Sequence, residues 1–148
     1  MECRRSTFLS DPEWMELPWK GLSKTIHDQI IDVLADIAKI VGQAYEMANL
    51  SLTEPLSVIP AIVDHCWMLD AKLRRLYTDL ESRNLGPLYW SKFSIQGNPV
   101  DDPALGKVFP IAFHFPSPRV AHTCMMYWTA SIVLWSILSP TYQVLGAM

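Results

Sequence analysis

The stretch Ser117–Leu138, SPRVAHTCMMYWTASIVLWSIL, decides the fold, because no Asp, Glu, Lys or Arg follows Arg119 before the C-terminus. Ser117 is a good helix N-cap, and Pro118 fits a first helical turn, where its missing N–H costs nothing. A helix that is apolar on all sides lies either in a protein core or in a bilayer. We therefore predict a helix over about 118–138 that ends before Ser139-Pro140.

The same stretch is long enough to span a membrane, since about 21 helical residues reach roughly 30 Å. Several hydroxyl side chains dilute its hydrophobicity, however, and Trp128 lies near the middle rather than at an interface. We favour a buried core helix over a membrane anchor, and we do not expect a membrane partner.

Two amphipathic helices are predicted upstream. The first begins near Ser23 to Thr25, with Thr25 and Asp28 at capping-box spacing, and its apolar residues step by three and four from Ile26 to Ala48. The second runs from about Leu56 or Pro60 to Asn84 and is stopped by Gly86-Pro87. Its apolar seam comprises Ile59, Ile62, Val63, Cys66, Leu69, Leu73, Leu76 and Leu80.

The remaining segments are predicted to be irregular. Residues 1–22 form an entry segment that Pro12 and Pro18 interrupt, and residues 85–117 form a long loop rich in aromatic residues and prolines. A short extended segment within Val108–Phe115 is conceivable, but the prolines argue against a central strand. The predicted fold is therefore a single all-α domain over 1–148, with about three long helices and an aromatic loop packed on them.

Composition restricts the possible functions. Of the 148 residues 18% are charged, fewer than the roughly 25% usual in soluble domains, which suggests surface reserved for a partner or a piece of a larger protein. The net charge of −3 gives no electrostatic case for direct nucleic-acid binding. Three widely spaced cysteines do not suggest a disulfide framework, and the polar, acidic N-terminus does not resemble a signal peptide.

Candidate chemical groups are few. His122 and Cys124 are two residues apart on a predicted helix, so their side chains diverge by about 200°, and His65 simply precedes Cys66. Neither pair has the spacing of a metal site. Asp101-Asp102 lies between prolines, where aspartates favour turns. We therefore assign no catalytic, metal-binding or cofactor-binding residue, and an enzyme is the less favoured interpretation.

Four segments together resemble the regulatory region of fungal zinc-cluster transcription factors. They are FLSDPEWMELPW at 8–19, IHDQIIDVLADIAKIV at 26–41, LDAKLRRLYTDLESRNLGPLYW at 69–90, and FPIAFHFPSPRVAHTCMMYWTASIVLWSIL at 109–138. The last contains the Tyr127-Trp128 pair typical of that family's apolar helix. The resemblance implies a non-catalytic, all-helical regulatory domain in the nucleus; without it, the cytoplasm would be expected.

The chain also departs from that family. The family's DNA-binding module needs six clustered cysteines around two zinc ions, whereas Cys3, Cys66 and Cys124 are scattered. Its regulatory regions are also much longer helical arrays. DNA contact is therefore not implied, and no cofactor is expected. The chain looks like a fragment of a larger array, a degenerate relative or a shortened gene product.

The apolar third helix suggests how such a domain acts. The two helical seams and the aromatic loop are expected to cover Trp128 and Trp135, leaving open a face with Met125, Thr129, Ile132 and Ser136. We predict self-association or binding of a protein partner through this face. Two alternatives remain: a small helical enzyme or ligand-binding protein whose pocket is lidded by the aromatic loop, and a membrane-anchored adaptor.

Overall fold

The computed structural model describes residues 11–47 and 55–146. Its helices are α1 (Pro12–Glu16), α2 (Ile26–Met47), α3 (Pro55–Ser82) and α4 (Pro118–Gly146), with a 3-10 turn at Leu17–Trp19. Two strands, β1 (Trp90–Phe93) and β2 (Ile111–His114), form a small antiparallel sheet. The predicted fold is confirmed as mostly helical, and α2, α3 and α4 are the long helices. It is not purely all-α, because the described chain also has the short helix α1 and this small sheet. Cys3, with the rest of residues 1–10, lies outside the described residues.

Helices α2, α3 and α4 pack against one another and form the three-helix bundle. The seams predicted from the sequence supply its core, since the helical period of 3.6 puts residues three and four apart on one face. The fully enclosed side chains are Ile30, Val33, Ile37 and Ile40 from α2, Cys66, Leu69 and Leu73 from α3, and Cys124, Leu134 and Leu138 from α4.

The start of α2 is fixed by the predicted capping box. The Thr25 N–H donates to Asp28 Oδ2 at 2.9 Å, and the Asp28 N–H donates to Thr25 Oγ1 at 3.3 Å. Two backbone donors that the helix itself leaves unpaired are thereby satisfied. The Thr25 hydroxyl also donates to Asp28 Oδ2, and these bonds hold the pKa of the Asp28 carboxyl below its usual value.

Helix α4 does not stop at Leu138, as predicted, but continues through Pro140 to Gly146. A proline inside a helix leaves the carbonyl four residues earlier without its backbone donor, here the carbonyl of Ser136. Ser136 and Pro140 both lie on the exposed side of the helix, where water can satisfy that carbonyl. The proline therefore costs less here than it would on the buried side.

The described part of the entry segment, residues 11–22, is also more regular than predicted. Pro12 stands at the start of α1 and Pro18 in the first turn of the 3-10 turn, so neither removes a hydrogen bond that the helix would make. The prolines that were expected to interrupt helical structure in this segment instead begin it. The Trp19 ring lies under the Lys24 ammonium, 5.6 Å from its centroid.

The segment from Leu85 to Ser117 forms a β-hairpin rather than a structureless loop. Trp90 pairs with His114 and Phe93 with Ile111, and the Ser94 N–H extends the ladder by donating to the Pro110 carbonyl at 2.8 Å. The prolines argued against a central strand, and neither strand of this two-stranded sheet is central. Every proline of the segment lies outside the four paired positions of each strand. A two-stranded sheet leaves room for prolines at its ends.

Candidate interaction surface

The outer face of α4 comprises Met125, Thr129, Ile132 and Ser136, and all four side chains are exposed. Met125 is 52% exposed and Ile132 is 69% exposed, whereas Leu134, two residues further along the helix, is completely buried. The contrast follows from the helical period, since the core takes only one side of α4. Two sizeable apolar side chains therefore lie in solvent on a face that carries no charge.

An aromatic edge borders this face where α4 meets α3. The rings of Trp67 and Trp135 meet edge to face at 5.5 Å, and Trp67 Nε1 donates to the Tyr142 hydroxyl at 2.7 Å. We expected Trp135 to be covered, but it remains 44% exposed because Trp67 shields only one of its sides. We refer to Trp67, Trp135 and Tyr142 as the aromatic edge.

The hairpin segment covers the other tryptophan of α4. Trp128 is half-buried, and its ring lies 5.3 Å from the Tyr89 ring and 6.2 Å from the Phe115 ring. Tyr89 in turn meets Phe113 of β2 at 5.6 Å. The expectation that this segment packs on the apolar helix is confirmed at Trp128.

The tip of the hairpin segment is apolar and open to solvent. Its most exposed large side chains are Phe93, Ile95 and Leu105, at 86%, 98% and 88% exposure. Both faces of the sheet are largely exposed, and no third strand pairs with it among the described residues. The segment therefore adds a second group of exposed apolar side chains to the molecule.

The cysteines within the described ranges lie in the core. Cys66 and Cys124 are fully buried, and burial raises the pKa of each thiol. Raised pKa values keep the thiols neutral, whereas a nucleophile or a metal ligand needs the thiolate. Cys124 is buried while His122 is exposed, as their predicted divergence on one helix requires.

Two histidines meet in a way the sequence did not indicate. His27 of α2 and His122 of α4 stack at a tilt, with ring centroids 4.7 Å apart. The Nδ1 atom of His27 is buried and has no hydrogen-bond partner within the described part of the chain. The sequence alone does not bring these two histidines together, because only the packing of α2 on α4 joins His27 to His122.

The acidic pair in the hairpin segment organises turns, as predicted. Asp101 accepts hydrogen bonds from the Asn98 N–H at 2.7 Å and from the Val108 N–H at 3.0 Å. These bonds lower the pKa of the Asp101 carboxyl. Asp102 accepts the Ala104 N–H at 2.7 Å, so both carboxylates act on the local backbone.

Two further properties bear on function. Within residues 11–47 and 55–146, no group of three or more His, Cys, Asp or Glu side chains is placed to hold a metal ion. The part of α4 from Pro118 to Tyr142 is long and apolar enough to cross a membrane, and 28% of its most hydrophobic window is buried inside the molecule. Core helices of soluble proteins also meet this criterion.

Comparison of the chain with family models, with curated proteins and with solved structures gave no match.

Proposed function

We propose that this chain is a non-catalytic helical interaction domain, of the kind that the regulatory regions of fungal zinc-cluster transcription factors contain. It acts through protein contacts made by the outer face of α4. The observation that carries the proposal is the exposure of Met125 and Ile132 on an uncharged helix face beside the aromatic edge. The nuclear location and the regulatory role rest on the sequence resemblance.

The composition of this surface suits a protein partner. Buried centres of protein interfaces are poor in charge and rich in tryptophan, tyrosine and methionine. The outer face of α4 and the aromatic edge supply Met125, Trp67, Trp135 and Tyr142, and Ile132 lies among them on the helix surface. Tryptophan and tyrosine also dominate the binding energy of interfaces. A contact centred on Trp135 and Ile132 would remove this apolar surface from water.

Several of the polar groups that a catalyst could use are engaged in structure. Asp101 and Asp102 hold turns, Asp28 caps α2, and the thiols of Cys66 and Cys124 are buried with raised pKa values. This supports a binding role over a catalytic one. Because the chain carries a net charge of −3, we do not expect it to contact duplex DNA itself.

Matched glutamate variants test the interaction face. Met125→Glu places a charge on the outer face of α4, whereas Met68→Glu places the same charge at a similarly exposed position on α3, since Met68 is 59% exposed. Sedimentation over a range of concentrations should show an associating wild type, a monomeric Met125→Glu variant and a Met68→Glu variant like the wild type. A monomeric wild type, or equal loss in both variants, would contradict self-association through this face.

The regulatory role has its own test. The chain is fused to a foreign DNA-binding module and transcription of a reporter is measured in a fungal host. Ile132→Glu should abolish the change in transcription that the wild-type fusion causes, while Met68→Glu should preserve it. A wild-type fusion with no effect on the reporter would argue against a regulatory function.

A membrane anchor is the second candidate function, because α4 is long and apolar enough to cross a bilayer. Insertion would expose Cys124, Ala130 and Leu134 to lipid, and it would remove α4 from the bundle core that these residues complete. Extraction of cell membranes with alkaline carbonate distinguishes the two. Release of the chain into the soluble fraction supports the interaction domain, and retention in the membrane supports the anchor.

A further inference from the structure

A groove of about 390 Å³ lies at one end of the three-helix bundle, where α2 and α4 begin and α3 ends. We propose that it binds a small organic anion, a phosphate or carboxylate attached to a short apolar group. Three cations line the groove: Lys24 just before α2, Arg83 just after α3, and Arg119 in the first turn of α4. The inference concerns a ligand and does not depend on the protein contacts proposed for α4.

Three basic side chains line this groove, and two of them are paired with carboxylates close by. No Asp or Glu lines it, although the chain has a net charge of −3. Lys24 is held by Asp32 at 2.5 Å, and Arg83 is held by Asp79 at 2.7 Å, and both carboxylates lie outside the groove lining. These ion pairs fix two of the cationic groups in place. Arg119 is in none of the ion pairs found in the described ranges, although its charge helps to lower the pKa of the nearby Asp28 carboxyl.

The walls of the groove define the rest of the ligand. Ile26, Leu80 and Val120 line it, so an anion with a short apolar part would contact them while its charged group meets the cations. The volume lies near the lower end of the range for small-molecule sites, about 300–1,000 Å³, which favours a compact ligand. No residue of 85–117 lines this groove, so it is not the loop-lidded pocket of the alternative described above.

The backbone at the groove adds further positive potential. The first turns of α2 and α4 both border it, and helix N-termini carry partial positive charge from unpaired N–H groups. The caps occupy the N–H groups of Asp28 and Val120, which leaves those of Ile26 and Arg119 as donors for a ligand. Cationic side chains and backbone donors then act on the same anion.

His27 provides an independent indication. It lines the groove, and its buried Nδ1 lacks a hydrogen-bond partner throughout the described chain. Buried polar atoms are nearly always hydrogen-bonded in folded proteins. A ligand group within hydrogen-bond distance of this nitrogen would supply the missing partner.

Titration with phenyl phosphate, followed by nuclear magnetic resonance of backbone amides, tests the proposal. Saturable shifts should appear at Ile26 and Arg119, and phenol, which lacks the charge, should not produce them. Arg119→Gln should weaken phenyl phosphate binding by about tenfold, because it removes a charge-assisted contact without breaking an ion pair. Lys72→Gln, which removes an exposed charge of α3 outside the groove, should leave the affinity unchanged.

Three results would overturn the proposal. They are no saturation below about 10 mM phenyl phosphate, equal shifts with phenol, and equal weakening by Arg119→Gln and Lys72→Gln, which would indicate general surface attraction. A parallel titration with benzoate compares the affinity of the groove for a carboxylate with its affinity for a phosphate. Circular dichroism of both variants confirms that the helices are retained.

Discussion

The three-helix bundle and the hairpin segment are both rich in large apolar side chains, but the bundle buries them and the hairpin segment exposes them. Ile30 and Leu134 of the bundle are completely buried, whereas Phe93 and Ile95 of the hairpin segment are 86% and 98% exposed. In a bundle, each of the three helices directs its apolar side toward a shared core, so these side chains are buried. A two-stranded sheet has no second layer to cover it unless another element packs on its face.

Among residues 11–47 and 55–146, the two regions meet at the base of the hairpin segment. Leu88 is 4% exposed, and Tyr89 and Phe115 cover Trp128. Away from this junction the side chains face solvent. The difference shows that stability resides in the bundle, whereas the hairpin segment contributes mainly exposed apolar surface.

The largest expected effect compares two neighbouring positions of α4. Leu134→Ala should cost about 2–5 kcal/mol of unfolding free energy, because it leaves a cavity in the core. Ile132→Ala, two residues away but 69% exposed, should change stability by less than about 0.5 kcal/mol. Urea denaturation measures both values. Similar losses in the two variants would show that the outer face of α4 is covered in solution.

A smaller effect is expected at the start of α2. Thr25→Ala removes the side chain that caps the Asp28 N–H and should cost about 1 kcal/mol. Thr78→Ala, at an exposed position inside α3, is the control and should cost little, because alanine favours helices. If chemical denaturation gives equal values for both variants, the capping box contributes nothing to the bundle.

Tyr77 reports on the junction between the two regions. Burial, with smaller contributions from Tyr89 and Glu81, raises the pKa of the Tyr77 hydroxyl to about 12. The folded state therefore favours the neutral phenol. The stability that the neutral Tyr77 phenol contributes is complete at pH values below 10, the ordinary tyrosine pKa. It is lost as the pH rises from 10 through about 12, the pKa of Tyr77 in the folded protein.

Alkaline titration of tyrosinate absorbance should show one late-titrating group in the folded protein. Tyr77→Phe should remove it and should lessen the fall in stability above the ordinary tyrosine pKa. Persistence of the late step in Tyr77→Phe would show that the step does not belong to Tyr77.

The smallest effect is expected in the hairpin segment. Asp101→Asn removes the charge that accepts the Asn98 and Val108 N–H groups. Amide hydrogen exchange at those two residues should accelerate, while the stability of the bundle should not change. The control Asp64→Asn, at an exposed site on α3, should change neither the exchange of those two amides nor the stability of the bundle. A global loss of stability in Asp101→Asn would contradict the separation of the two regions.

The Asp101 turn should also respond to pH. Because its backbone hydrogen bonds lower the pKa of Asp101, they stabilise the turn above the ordinary aspartate value. This stabilisation is lost as the pH falls through the lowered value. Exchange of the Val108 amide, corrected for its intrinsic pH dependence, should therefore increase at acid pH in the wild type and change less in Asp101→Asn.

The sequence by itself determined the parts of this protein that depend on near neighbours. The apolar residues of α2 and α3 recur with the helical period, Thr25 and Asp28 lie at capping distance, and the carboxylates of Asp101 and Asp102 reach backbone groups only a few residues away. Each of these interactions is fixed by local geometry. For the same reason, the direction of the outer face of α4 followed from the helical period once one side of the helix was placed in the core.

Only the tertiary structure decided the features that join distant parts of the chain. The pairing of β1 with β2 closes a long connection, the meeting of His27 with His122 needs α2 packed on α4, and the groove collects its cations from three separate parts of the chain. The extension of α4 beyond Pro140 likewise depends on which side of the helix faces water. Such features follow from packing, because a local pattern does not specify which distant surface a residue will meet.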